Sequence, residues 1–215
     1  MQNDQISRSQ LVAERFKQCE VCAYHESGHI LFAYLCGYRC RHAALINEPN
    51  EDEYSSVALI DYGKDAEHAV KFMGSDVQYF RSLALAAKLE SVEVGRRLAR
   101  IFLGGSVAAA IYNNHSNAHI PLPMQIDYLD LQRVEFIEHV MKETSTDEDE
   151  NFIEHGLRDA LYTLANVNIW ETVADLANRL LANNELDMGD IEECLEEHGI
   201  NYDEASPMDT SLDFS

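Results

Sequence analysis

The sequence predicts an α+β fold, mostly helical, with a small β-sheet beside a long N-terminal helix. Three observations predict it. Ser7 to Cys36 contains no proline and only Gly28; two short extended runs follow, separated by a turn-rich stretch; and helical patterning covers most of the remainder. With 215 residues, 46% of them hydrophobic and 25% charged, the chain is long enough to bury a sizeable core. We read residues 1–200 as a single domain and residues 201–215, acidic and carrying Pro207, as a frayed tail.

Residues 7–36 read as one helix, with Ser7 at its N-cap and Gly37 where a helix stops. Leu11, Phe16, Cys19, Cys22, Ala23, Ile30, Ala33 and Tyr34 form a broad apolar stripe, which predicts a central position for this helix. Residues 39–62 hold the sheet. Its strands are Arg39 to Asn47 and Tyr54 to Tyr62, joined by the turn-forming stretch EPNEDE. Residues 65–112 read as helices, a short one from Asp65 to Phe72 and a longer region from Asp76 to Tyr112, broken near Gly95 and Gly104–Gly105. Residues 113–126, with Pro121 and Pro123, are a loop. Residues 127–199 are helical again: Asp127 to Glu143, Asp149 to Ala165, Asn168 to Asn183, and a last short helix capped by Asp187 and ending at Gly199.

The charge balance narrows the function. Thirty-eight acidic against 16 basic residues give a net charge of −22, which argues against nucleic-acid partners, since phosphate neutralisation needs clustered Lys and Arg. The first twenty residues lack the apolar stretch of a signal peptide. The longest nearly apolar run, Leu98 to Tyr112, is interrupted by Arg100 and two glycines, so no membrane span and a cytoplasmic location are expected. Five cysteines without an export signal fit reduced thiols. Cys19, Cys22, Cys36 and Cys40 have spacings that suggest a metal site on paper, but the first three share one long helix, where they pack as small hydrophobes. The acidic run Thr146 to Glu150 reads as a solvated helix start, and Trp170 as a core residue.

Residues 25–29 read HESGH, an instance of H-E-x-x-H. On a helix, His25 and His29 lie one turn apart on the same face, so both imidazoles reach one Zn2+ ion. Glu26 stands beside them as a general base, placed to activate a zinc-bound water for hydrolysis of a peptide bond. A catalytic zinc takes a third protein ligand, and Asp130, Asp127, His115, His119 and His139 are the candidates.

The stretch VCAYHESGHILFAYLCGY resembles the zinc-site helix of the FtsH-type peptidases, the proteolytic half of the membrane-bound AAA+ proteases. FLGGSVAAAIY is similar to that family's Gly-Gly helix, YLDLQRVEFI to its N-D-L segment, and the region from Asn168 to Gly199 to its closing pair of helices. The resemblance implies a zinc metalloendopeptidase in which Asp130 is the third ligand, with Asp127 as runner-up. It further implies assembly into homo-oligomeric rings. It also implies substrate binding along an edge strand, for which Ser55 to Asp61, centred on Val57, Ala58 and Leu59, is the candidate; an ordinary inner strand is the alternative. The sequence departs from the family at Ser106, Ala109 and Ala110, where the family has Arg and a Glu pair, and lacks both its Thr-Thr-Gly turn and a P-loop. The expected substrates are therefore flexible polypeptides or chains delivered by a separate ATPase or adaptor. The rival reading is a catalytically weak or inactive peptidase-like module that binds metal and serves a regulatory or partner-binding role.

Overall fold

The first helix, α1 (Arg8–Leu35), is buried on every side over its second half: all residues from Glu26 to Cys36 lie inside the protein. A helix apolar on one stripe only could not tolerate this, but Ile30, Leu31, Phe32, Ala33 and Leu35 are apolar around the full circle. Gly37 ends it with φ of 80°, a left-handed turn that suits glycine, as the sequence predicts. The computed structural model describes residues 8–46, 55–61, 92–114, 126–144 and 151–201; the part of the predicted 65–112 helices before residue 92, residues 115–125 of the predicted 113–126 loop and the acidic tail beyond residue 201 lie outside these.

Strand β1 (Arg39–Ile46) follows, then β2 (Ser55–Asp61), helices α2 (Val92–Asn114), α3 (Tyr128–Thr144), α4 (Phe152–Leu164) and α5 (Val167–Asn183), strand β3 (Glu185–Asp187) and helix α6 (Met188–Glu197). The fold is therefore mostly helical with a small antiparallel sheet, as expected. The sheet order is β2-β1-β3, so β1 is central. Arg39 pairs with Asp61 and Ile46 with Ser55 across β1 and β2, with a bulge between Cys40 and His42, while Ala43 pairs with Leu186 of β3. The third strand was not expected from the sequence, because three residues, ELD, carry no readable alternation.

Phe16 and the region around Gly95 and Gly104–Gly105 differ from expectation. Phe16, placed on the core stripe by its spacing, is 60% exposed, because the packed part of α1 lies nearer its C-terminus. Helix α2 runs unbroken through Gly95 and Gly104–Gly105. These glycines are close-approach positions, not breaks. A Cβ on Gly28 of α1 would sit 2.5 Å from the Gly104 carbonyl oxygen, and one on Gly104 would sit 2.2 Å from the Phe32 ring. The two backbones thus nearly touch, and tertiary packing overrides glycine's low helix propensity.

The remaining helices are placed by their caps and apolar stripes. α4 begins at Phe152, where Asn151 caps the Glu154 amide, so it starts later than the Asp149 expected from the sequence. α5 buries Thr172, Val173, Leu176, Ala177 and Leu180, a helical stripe facing the core. Asp187 opens α6 with a reciprocal capping box to Asp190, worth about 1 kcal/mol, as its predicted cap role requires. Trp170 is half-buried, not fully internal, and stacks with Tyr24, which in turn stacks on Tyr112.

Candidate metal centre

Helical spacing puts His25 and His29 on one face of α1, their rings meeting edge to face with centroids 4.5 Å apart and Nε2 atoms 2.9 Å apart. The partner carboxylate comes from α3. Asp127 stands at the start of that helix and accepts from the Leu129 and Asp130 amides at 2.9 and 3.3 Å, while its own amide donates to Ser106 Oγ at 2.9 Å. Asp127 is thereby the helix cap, exposed to solvent, and Ser106 anchors it to α2. This sets Asp130 in the first turn of α3, aimed inward, its side chain only 3% exposed.

Asp130 Oδ2 lies 3.2 Å from His25 Nε2 and 3.3 Å from His29 Nε2. The three atoms form a nearly equilateral triangle, and a tetrahedral zinc with bonds of about 2.0–2.1 Å has edges of about 3.3 Å. Electrons dictate what belongs at its centre. His29 Nδ1 must donate to the Ile101 carbonyl oxygen, 2.7 Å away, so in the neutral ring Nε2 carries a lone pair facing His25 Nε2 and Asp130 Oδ2. Asp130 Oδ2 is buried, and no donor approaches it with hydrogen-bond geometry. Lone pairs converging on one buried point need a proton or a cation, and the donor set of two imidazoles and one carboxylate suits Zn2+.

Outer contacts hold this geometry. Arg133 Nη1 donates to Asp130 Oδ1 at 3.1 Å and stacks over the Phe102 ring at 5.2 Å, leaving Oδ2 to face the histidines. Gly105 makes room for the second histidine: a Cβ there would meet His29 Nε2 at 2.5 Å. Without metal, burial works against a charged His29, yet the Asp130 carboxylate outweighs it and raises the imidazole to about 9. Burial likewise opposes the Asp130 charge, but the His29 and His25 rings hold its carboxyl below the usual range.

Glu26, buried beside the pair, accepts from Ser56 Oγ at 2.7 Å. Ser56 belongs to β2, which carries Val57, Ala58 and Leu59; among the described residues β2 pairs with β1 on one side and with no strand on the other. Among the described residues the strand therefore lies at the edge of the sheet, with Leu59 exposed. The cysteines form no disulfide; Cys19 and Cys22 are half-buried, Cys36 and Cys40 buried, and none joins the converging group. Of the other ligand candidates, His139 of α3 does not join that group among the described residues, and His115 and His119 lie outside them.

Sequence reasoning missed Gly105 and Arg133 as parts of the site, and missed the contacts by which Ser56 holds Glu26 and Ser106 holds Asp127. Arg133 was the most readable of these, since a base three residues after Asp130 on a helix faces it. The sequence matches no protein-family model and no curated protein.

Proposed function

We propose that the chain is a zinc-dependent metalloendopeptidase of FtsH-like type, acting on flexible polypeptides or on chains delivered by a partner such as a separate ATPase or adaptor. One observation carries the reading: His25, His29 and Asp130 bring three ligand atoms to one buried point, with a carboxylate, Glu26, next to it on the same helix. A divalent ion bound there supplies Lewis acidity, polarising a carbonyl and acidifying an adjacent water.

The chain's own residues do the rest. Glu26 takes the proton of the attacking water and returns it to the departing amine, a role that asks for a carboxylate fixed in place. Ser56 fixes it, donating to Oε1. Because Ser56 lies on β2, an extended peptide that paired with Val57, Ala58 and Leu59 through main-chain hydrogen bonds would run past Glu26. Arg133 and Ile101 hold Asp130 and His29 in register.

The test is cleavage of casein and of quenched peptides by wild type and Glu26→Gln, with zinc content measured on both. Loss of roughly 10²–10⁴-fold in turnover with zinc retained supports the general base. Equal cleavage by the two proteins would remove Glu26 from the reaction. Retained zinc with no cleavage by wild type would replace the peptidase reading with that of a metal-binding module.

A further inference from the structure

Ligating atoms converge a second time between α5 and α6, elements that contribute nothing to the His25–His29–Asp130 centre. Cys194 and His198 are four residues apart, on α6 and at its C-cap, so both point toward α5. There Asp175 Oδ2 lies 3.4 Å from Cys194 Sγ and 3.3 Å from His198 Nε2, and the three ligand atoms are within 4.8 Å of one another. Cys194 is buried and the other two reach the rim, His198 with a quarter of its side chain exposed, so an ion could enter from solvent.

Electrostatics at this corner favour a cation. The C-terminal end of α6 presents the negative pole of its dipole. Arg179 is the one cation the described contacts place here, shared between Asp175, at 3.3 Å, and Glu197. With Cys194 ionised, two carboxylates and a thiolate would face that single guanidinium, and one divalent ion closes the balance. Arg179 can remain on Glu197 when Asp175 turns to the ion.

We propose that Asp175, Cys194 and His198 form a second metal site, for a thiophilic divalent cation of the zinc class, that ties the end of α6 to α5. A set of one thiolate, one imidazole and one carboxylate selects Zn2+ or Co2+ over Mg2+ or Ca2+. Binding forms the Sγ–metal bond as the Cys194 thiol releases to solvent the proton it now shares with Asp175, so no oxidant or reductant is involved. The site is independent of the peptidase reading.

Cobalt(II) titration of the 215-residue chain tests it, because a near-ultraviolet thiolate-to-cobalt charge-transfer band reports sulfur ligation and the His25–His29–Asp130 group has no thiolate. The expected result is a saturable band that Cys194→Ser abolishes and His198→Ala shifts to at least about tenfold higher cobalt concentration. His198 lies at the helix end, so its replacement decides the matter even if Cys194→Ser fails to fold. No band in wild type, or a band unaffected by His198→Ala, overturns the proposal and leaves the three residues as a hydrogen-bonded cluster.

Discussion

Replacing Gly105 with alanine separates the proposed metal centre from the fold that carries it. Helix propensity alone favours alanine within α2 by about 1 kcal/mol. Packing opposes it: the new Cβ would lie 2.5 Å from His29 Nε2, 2.6 Å from its Cε1 and 2.8 Å from its Cδ2. Ordinary contact begins near about 3.4 Å, so the ring must retreat by roughly 1 Å, whereas zinc–ligand bonds tolerate about 0.2 Å. The ring is also held from behind by its bond to Ile101, so it cannot swing aside freely. Overpacking of this kind costs about 1–3 kcal/mol, which the propensity gain partly offsets. Gly105→Ala is therefore expected to melt within a few degrees of wild type in the metal-free state while binding zinc at least about tenfold more weakly. Competition with a chromogenic chelator measures the affinity, and a thermal melt in chelator measures the fold. Wild-type zinc affinity in a folded Gly105→Ala protein would refute the placement of His29 Nε2 at the ion.

Other expectations follow from the same geometry. Arg133→Ala should lower zinc affinity about 10–100-fold through Asp130, with partial recovery in Arg133→Lys, read by chelator competition. Zinc binding must displace the proton that His29, raised to about 9 by Asp130, holds in the metal-free protein, so apparent affinity should climb about tenfold per pH unit up to that value, measured in buffers that do not bind zinc. In the metal-free protein the sign is different for each partner. The raised His29 contributes stability that is complete below its ordinary pKa and lost as pH rises through about 9. The depressed Asp130 contributes stability present above the ordinary carboxylate range and lost as pH falls below it, so chelated protein should melt highest between those limits.

What the sequence made legible depended on how local each signal is. The span of α1, its stop at Gly37 and the capping role of Asp187 are written within a few residues, and all three match the structure. The pairing of β1 with β2 was equally readable. The continuity of α2 was not, because Gly104 and Gly105 read locally as breakers while their purpose is set by Phe32 and His29 on another helix. Asp127 and Asp130 are indistinguishable by spacing; the structure separates them by using Asp127 as a cap anchored to Ser106 and turning Asp130 inward. The Asp175–Cys194–His198 cluster is not local, since Asp175 comes from another helix; the i, i+4 spacing of Cys194 and His198 is its only sequence signal.

The most direct measurement of the central claim is zinc content by elemental analysis after dialysis against a weak chelator, made in a Cys194→Ser background so that only the α1–α3 centre is counted. One zinc per chain that is lost on adding His29→Ala or Asp130→Ala is the predicted result. A folded protein that retains no zinc, or that retains as much without His29 and Asp130 as with them, would contradict the assignment of this centre.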